Sequence, residues 1–184
     1  MASYTSYCQA VNSGQFSELH RLYHDLEYGF PLQEDNLLFG RLILEINQAG
    51  LSWDTVLKKR NSIQHAYAQF DIATIANFNE EDIEVLMGNP GIIRMGKKIE
   101  AIIYNAQQVL KLQATHGSFH NWLDHEHPKT AEEWIKCFKK QFKFTGNEIT
   151  KEFLLATSYL EGAHDKNCPI YPKTLKAHPK WKEN

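Results

Sequence analysis

Apolar residues recur at helical spacing along nearly the whole chain. In DNLLFGRLILEINQAG, Leu38, Phe39, Leu42, Ile43, Ile46 and Ala49 repeat in steps of three and four, which predicts a helix across 35–49. Leu37 and Leu44 fall on its other side, so the helix is apolar nearly all round and is expected to run through a core. Pro31 and the acidic pair Glu34-Asp35 lead into it, and Gly50 ends it. A second helical pattern covers about 53–69. Asn79-Glu80-Glu81-Asp82 has the composition of a capped start and precedes Ile83, Leu86 and Met87; GNPG at 88–91 then breaks the helix. Helical spacing resumes in IIRMGKKIEAIIYNAQQVLKLQATHG, with Ile99, Ile102, Ile103, Ala106 and Leu110 on one face. Shorter patterns follow near 118–125, 131–140 and 147–159. The tail after Gly162, rich in Pro, Lys and His, is expected to be irregular. No stretch alternates with the period of a strand, so the predicted class is all-α.

Composition narrows this picture. A chain of 184 residues with 42% hydrophobic residues can bury a sizeable core, and one domain is expected. The net charge of −2 excludes a generally basic nucleic-acid binder; binding of that kind needs a local patch, such as Lys58-Lys59-Arg60 or Arg94, Lys97 and Lys98. Three cysteines, Cys8, Cys137 and Cys168, argue against a disulfide framework and fit a reducing cytoplasm. The segment MASYTSYCQA has neither the charge nor the apolar run of a signal peptide, and no apolar run is long enough to span a membrane.

Three constellations carry candidate chemistry. The turn NPGII between two helical patterns can aim backbone N–H groups at one point, and the positive end of the next helix, with Arg94, Lys97 and Lys98, suits a phosphate. An ordinary helical hairpin with solvated lysines accounts for the same pattern. His164 and Cys168 in AHDKNC, with His24 and Cys8, supply the donors of a closed tetrahedral Zn²⁺ site; with nine histidines in the chain, a chance pairing of free thiols and surface histidines is the plainer account. Tyr23, Tyr28, Trp53 and Glu45 could hold a planar base, although core packing explains most aromatics. Glu45 is the odd member. A carboxylate in LEINQAGLSW is costly to bury, and an ion pair with Arg41 one turn earlier is the structural alternative.

These groups, in this order, resemble the bacterial DNA-3-methyladenine glycosylase I family. The segments that carry the resemblance are YHDLEYG (23–29), LEINQAGLSWDTVLKKR (44–60), GIIRMGKKIEAII (91–103), FKFTG (142–146) and GAHDKNC (162–168). The resemblance implies an all-α helix-hairpin-helix glycosylase, with the hairpin element at about 81–108 and the terminal segments 1–30 and 160–184 joined through structural zinc on Cys8, His24, His164 and Cys168. It implies Glu45 as the essential base-recognising carboxylate, and Tyr23, Tyr28 and Trp53 as base-binding residues. Gly50 and Leu51 become the turn that probes the gap left by a flipped base. Gly91, Ile92, Ile93, Arg94 and Lys97 become the DNA grip. The chain departs from the family pattern at Tyr28, where tryptophan is usual, at His20 for tyrosine and at Ile46 for glycine. The spacing from Cys8 to Tyr23 is longer than usual, and NEITKEF replaces a threonine-rich run.

The expected partner is double-stranded alkylated DNA, bound by a cytoplasmic, bacterial, monomeric enzyme without membrane contact. Most relatives in the wider superfamily place an aspartate soon after the hairpin. Here only Glu100 lies between Gly91 and Asp124. N3-methylated adenine is already cationic, so its departure needs no general acid. A non-catalytic lesion-binding protein is the rival expectation. A zinc hydrolase is disfavoured, because four protein ligands leave no open position for water.

Overall fold

The computed structural model describes residues 4–183. In chain order its helices are α1 Tyr7–Asn12, α2 Glu18–Leu26, α3 Asp35–Gln48, α4 Trp53–Ala66, α5 Ile72–Ala76, α6 Glu80–Gly88, α7 Gly96–His116, α8 Phe119–Glu126, α9 Ala131–Gln141, α10 Asn147–Ala156 and α11 Tyr171–Lys176, with 3₁₀ turns at Ala68–Phe70 and Lys180–Lys182. No strand occurs among the described residues. The chain forms two compact units: residues 33–153, and the two terminal segments up to Leu32 and from Leu154 onward.

In the central unit, α3 is the core helix. Leu38, Phe39, Leu42, Ile43 and Ile46 are fully buried, as their spacing predicts. Leu37 is an exception: it is 51% exposed, so the all-round apolar character fails in the first turn, where the helix meets solvent. Glu34 caps α3 by accepting the N–H groups of Asn36 and Leu37 at 3.0 and 3.1 Å. Asp35 works on a neighbouring helix. Its carboxylate accepts the N–H groups of Phe119 (2.8 Å) and His120 (3.0 Å), satisfying donors at the start of α8. Gly40 is needed where α3 meets the Phe70 ring: a Cβ there would lie 2.8 Å from Phe70 Cγ. Long α7 packs on α3, α5, α6 and α8.

The terminal unit joins the chain ends. Ser6 caps α1 and its hydroxyl donates to the carboxylate of Asp165. Helix α2 has an inverted pattern. It buries His20, Tyr23 and His24 and leaves Leu19, Leu22 and Leu26 exposed. The tail is less irregular than its composition suggests. A proline is tolerated in the first turn of a helix, and Pro172 occupies that turn of α11. Farther on, Trp181 N–H donates to the Ser158 carbonyl at 3.0 Å, tying down the last turn. The pattern predicted at 147–159 ends earlier, at Ala156; Ser158 adopts φ +67° and Tyr159 N–H returns to the Leu154 carbonyl at 2.8 Å.

Candidate active site and metal centre

Glu45 lies in the third turn of α3 and is 2% exposed. Burial pushes its carboxyl up to about 8; Arg41, also buried, pulls it down, and Glu152 pushes it further up. Near neutral pH such a group is poised between a neutral form that can donate a hydrogen bond and an anion that attracts positive charge.

Directly after α3 the chain turns sharply. Leu51 N–H donates to the Gln48 carbonyl at 2.7 Å, and Gly50 takes φ +80°, a conformation glycine adopts without strain. Leu51 projects 42% exposed at the tip. Ser52 then caps α4, accepting Thr55 N–H at 3.2 Å, and Trp53 opens that helix half-buried. A groove of about 320 Å³ runs beside the turn, lined by Gln48, Ala49, Gly50, Leu51, Glu148, Ile149 and Glu152. The two glutamates come from NEITKEF, one of the stretches where the sequence leaves the family pattern.

The second constellation forms a helix, a turn and a helix. Asn79 makes a capping box with Asp82 at the start of α6. In the turn, Asn89 is the organiser. Its Oδ1 accepts Gly91 N–H at 2.8 Å and its carbonyl accepts Ile92 N–H at 3.4 Å. Lys59 braces the turn from α4, donating to the Pro90 carbonyl at 2.8 Å. Two of the expected gripping amides, those of Gly91 and Ile92, are therefore spent inside the turn. The N–H groups of Ile93, Arg94, Gly96 and Lys97 have no acceptor among the described residues. Of the expected grip, the amides of Ile93, Arg94 and Lys97 remain on offer, joined by that of Gly96, at the mouth of α7, where Arg94 and Lys97 are exposed.

In the terminal unit, Cys8, His24, His164 and Cys168 converge. All are buried, and their ligand atoms lie within 4.8 Å of one another. Cys8 Sγ is 3.3 Å from His24 Nε2 and 3.5 Å from His164 Nδ1; Cys168 Sγ is 3.7 Å from each. Ligands at about 2.3 Å (sulfur) and about 2.0 Å (nitrogen) around a tetrahedral centre would stand roughly 3.6 Å apart, so the donor set fits such an ion. The outer partners fit as well. His24 Nδ1–H donates to Asp25 at 2.7 Å and His164 Nε2–H to the Tyr28 carbonyl at 2.7 Å, which turns the opposite ring nitrogens inward as acceptors. Burial pushes the Cys8 thiol up to about 12, so a cation is what would hold it as thiolate.

Tyr23 and Tyr28 are buried beside each other in this unit, ring centroids 5.6 Å apart. The Tyr28 ring also meets Tyr7 edge-on at 5.7 Å, and Tyr7 hydroxyl lies 3.0 Å from His20 Nδ1. Asp25 adjoins His24 in YHD and was readable as its partner. Asn89, Lys59 and Glu152 carry no signal of their roles in the sequence.

Residues 13–153 match the methyladenine glycosylase family. DNA-3-methyladenine glycosylase 1 of Escherichia coli (strain K12) is 36% identical over 173 residues, which span 84% of this chain and 92% of that protein. A structure of Staphylococcus aureus 3-methyladenine DNA glycosylase I (TAG), concerned with its recognition of 3-methyladenine, superposes with a TM-score of 0.80 at 32% identity, covering 90% of this chain and 97% of that one. A crystal structure of a variant of 3-methyladenine DNA glycosylase I (TAG) in complex with 3-methyladenine gives 0.79 at 33% identity, over 86% and 95% of the two chains. A buried carboxyl before a Gly-Leu turn, a helical hairpin and a Cys₂His₂ cluster thus sit on a fold shared with these enzymes, and the chain belongs to the methyladenine glycosylase family.

Proposed function

We propose that this protein is a monofunctional DNA-3-methyladenine glycosylase of base-excision repair, hydrolysing the N-glycosidic bond of 3-methyladenine in alkylated DNA and leaving an abasic site. The observation that carries the proposal is Glu45, a buried carboxyl poised near neutrality on the helix that ends in the Gly50-Leu51 turn. Nothing in core packing calls for such a group, since an apolar side chain would fill the position at lower cost.

The element α6–turn–α7 acts as a helix-hairpin-helix grip on one phosphate of a duplex, through the amides at Ile93, Arg94, Gly96 and Lys97 and the charges of Arg94 and Lys97. Gly91 and Ile92 shape the turn. Leu51 enters the stack where the damaged nucleotide has left it. Glu45 meets the extruded base. A cation arriving beside it favours its ionised form, so the lesion itself completes the charge pair, which neutral adenine does not do. Trp53 supplies a stacking face with cation–π attraction, and Tyr23 and Tyr28 have the same assignment on the resemblance alone.

The C1′–N9 bond breaks with its electron pair passing to the already cationic base, which leaves as neutral 3-methyladenine. Water adds to C1′ and releases a proton to solvent. No general acid is required, in keeping with the lack of an aspartate after the hairpin.

The Cys8, His24, His164 and Cys168 set holds structural Zn²⁺, which joins the two terminal segments and takes no part in bond breaking. The protein works as a monomer on double-stranded alkylated DNA in the bacterial cytoplasm; no helix among the described residues is long and apolar enough to cross a membrane.

The test is base release from N-methylated duplex DNA, with 3-methyladenine and 7-methylguanine resolved. Release of 3-methyladenine with Glu45→Gln strongly impaired is expected. Lesion binding without any release would favour the non-catalytic alternative instead.

A further inference from the structure

Lys97 and Lys98 are neighbours in sequence with opposite fates. Lys97 is exposed at the mouth of α7, whereas Lys98 is 2% exposed. A buried ammonium is costly unless fully hydrogen-bonded. Lys98 Nζ donates to the Asn47 carbonyl at 2.8 Å and to the Ala49 carbonyl at 2.7 Å, and sits 6.0 Å from the centre of the Phe144 ring. Its acceptors are carbonyls at the C-terminal end of α3, where the helix has run out of its own donors and carries partial negative charge. Stability alone does not explain this arrangement. The turn already has Gly50 in the left-handed conformation that closes helix ends without help.

What the ammonium joins is informative. On one side it is the third residue of α7, next to the unengaged amides of Gly96 and Lys97; its own N–H bonds the Met95 carbonyl at 2.9 Å. On the other side it fixes the carbonyls on both sides of Gln48, immediately before Gly50 and the exposed Leu51. Burial lowers the affinity of Lys98 for its proton. The two carbonyl bonds hold the amine in place as a clamp between α7 and the end of α3.

We propose that Lys98 is a positioning residue that locks the Ala49–Leu51 turn to the first turn of α7, so that gripping a phosphate sets Leu51 against the duplex. The proposal rests on the glycosylase function proposed above. Lys98 touches neither base nor DNA in this scheme. Its contribution is the distance between grip and wedge, on which base extrusion depends.

Steady-state release of 3-methyladenine from duplex DNA tests this with Lys98→Met, Leu51→Ala and the double variant. Lys98→Met is expected to lower kcat by about tenfold to a hundredfold, with KM for the duplex altered less than about threefold, because the grip itself is intact. Adding Leu51→Ala to Lys98→Met should cost little more than the worse single change, since both remove one action. A merely structural lysine would instead give losses that multiply, and that result, or wild-type kcat in folded Lys98→Met, overturns the proposal. Should Lys98→Met not fold, glycolate in place of Gly50 weakens the Ala49 acceptor as an ester carbonyl and otherwise removes the Gly50 N–H, which has no backbone acceptor among the described residues. A reduced kcat at unchanged KM is again expected, and an unchanged kcat overturns the coupling. If wild-type protein releases no base, the glycosylase reading fails first; release by wild type with no Lys98 effect condemns the coupling alone.

Discussion

Glu45 follows Arg41 by one turn of α3, both side chains are buried, and the guanidinium opposes the burial that pushes the carboxyl up to about 8. The pair is therefore an incomplete one. Arg41 is not enough to hold Glu45 ionised at neutral pH, and Glu152 works against it. A site balanced in this way responds to a cation placed within it.

Glu45 should cost the free protein stability. Its folded-state affinity for a proton exceeds that of the unfolded chain, so the folded state binds more protons between roughly pH 4.5 and 8 and loses stability as pH rises through that window. Glu45→Gln is expected to raise unfolding free energy at pH 7 by up to about 3 kcal/mol and to change little at pH 4.5. Denaturant melts at the two pH values check this, and equal effects at both would contradict the assigned environment.

Activity should follow the same carboxyl. If the anion faces the cationic base, kcat/KM for base release rises with pH toward about 8 and then levels. Arg41→Met should move the rise to higher pH and Glu152→Gln to lower pH, the opposite directions expected from their opposite charges. pH–rate profiles of the three proteins are the measurement; parallel shifts would exclude this electrostatic arrangement.

Removing the ion from the cluster should loosen the terminal unit without abolishing chemistry directly. Cys168→Ala, or a strong chelator, is expected to lower the melting temperature and release about one zinc per chain, read by metal analysis. Base release measured well below the new melting temperature should persist. Its complete, reversible loss in a folded protein would reopen the zinc-hydrolase alternative.

Gly40→Ala tests the core around α3. The added methyl meets the Phe70 ring and should cost about 1–3 kcal/mol by overpacking, outweighing the roughly 1 kcal/mol that alanine gains in helix propensity. A thermal melt no lower than that of the wild type would show that Phe70 yields freely.

Much of this was legible in the sequence because burial and helical spacing coincide in α3 and α7. Leu38 to Ile46 and Ile99 to Ala106 announce their inward faces. Helix α2 was not legible for the opposite reason: it buries His20, Tyr23 and His24 and exposes its leucines, so apolar periodicity points to the wrong face. Glu45 stood out as a charge where charge is expensive. The four metal-ligand types could be set together by residue type, but only the family resemblance favoured that set over a chance pairing, since no local spacing links residue 8 to residue 168. That the Gly91 and Ile92 amides are taken up within the turn was not legible, because their acceptors, the side chain and the carbonyl of Asn89, carry no sequence signal of that use. The α11 helix was hidden by a composition rich in proline and lysine, which a single proline in a first turn does not contradict.

The Cys8–His24–His164–Cys168 cluster also has a consequence in time. Two of its donors, Cys8 and His24, precede the central unit in the chain, and two, His164 and Cys168, follow it. A growing polypeptide cannot assemble the set until residue 168 has been made, after every residue of the central unit. Chains cut between residues 153 and 164 would carry the α3, turn and hairpin segments of the central unit, yet hold only two of the four donors.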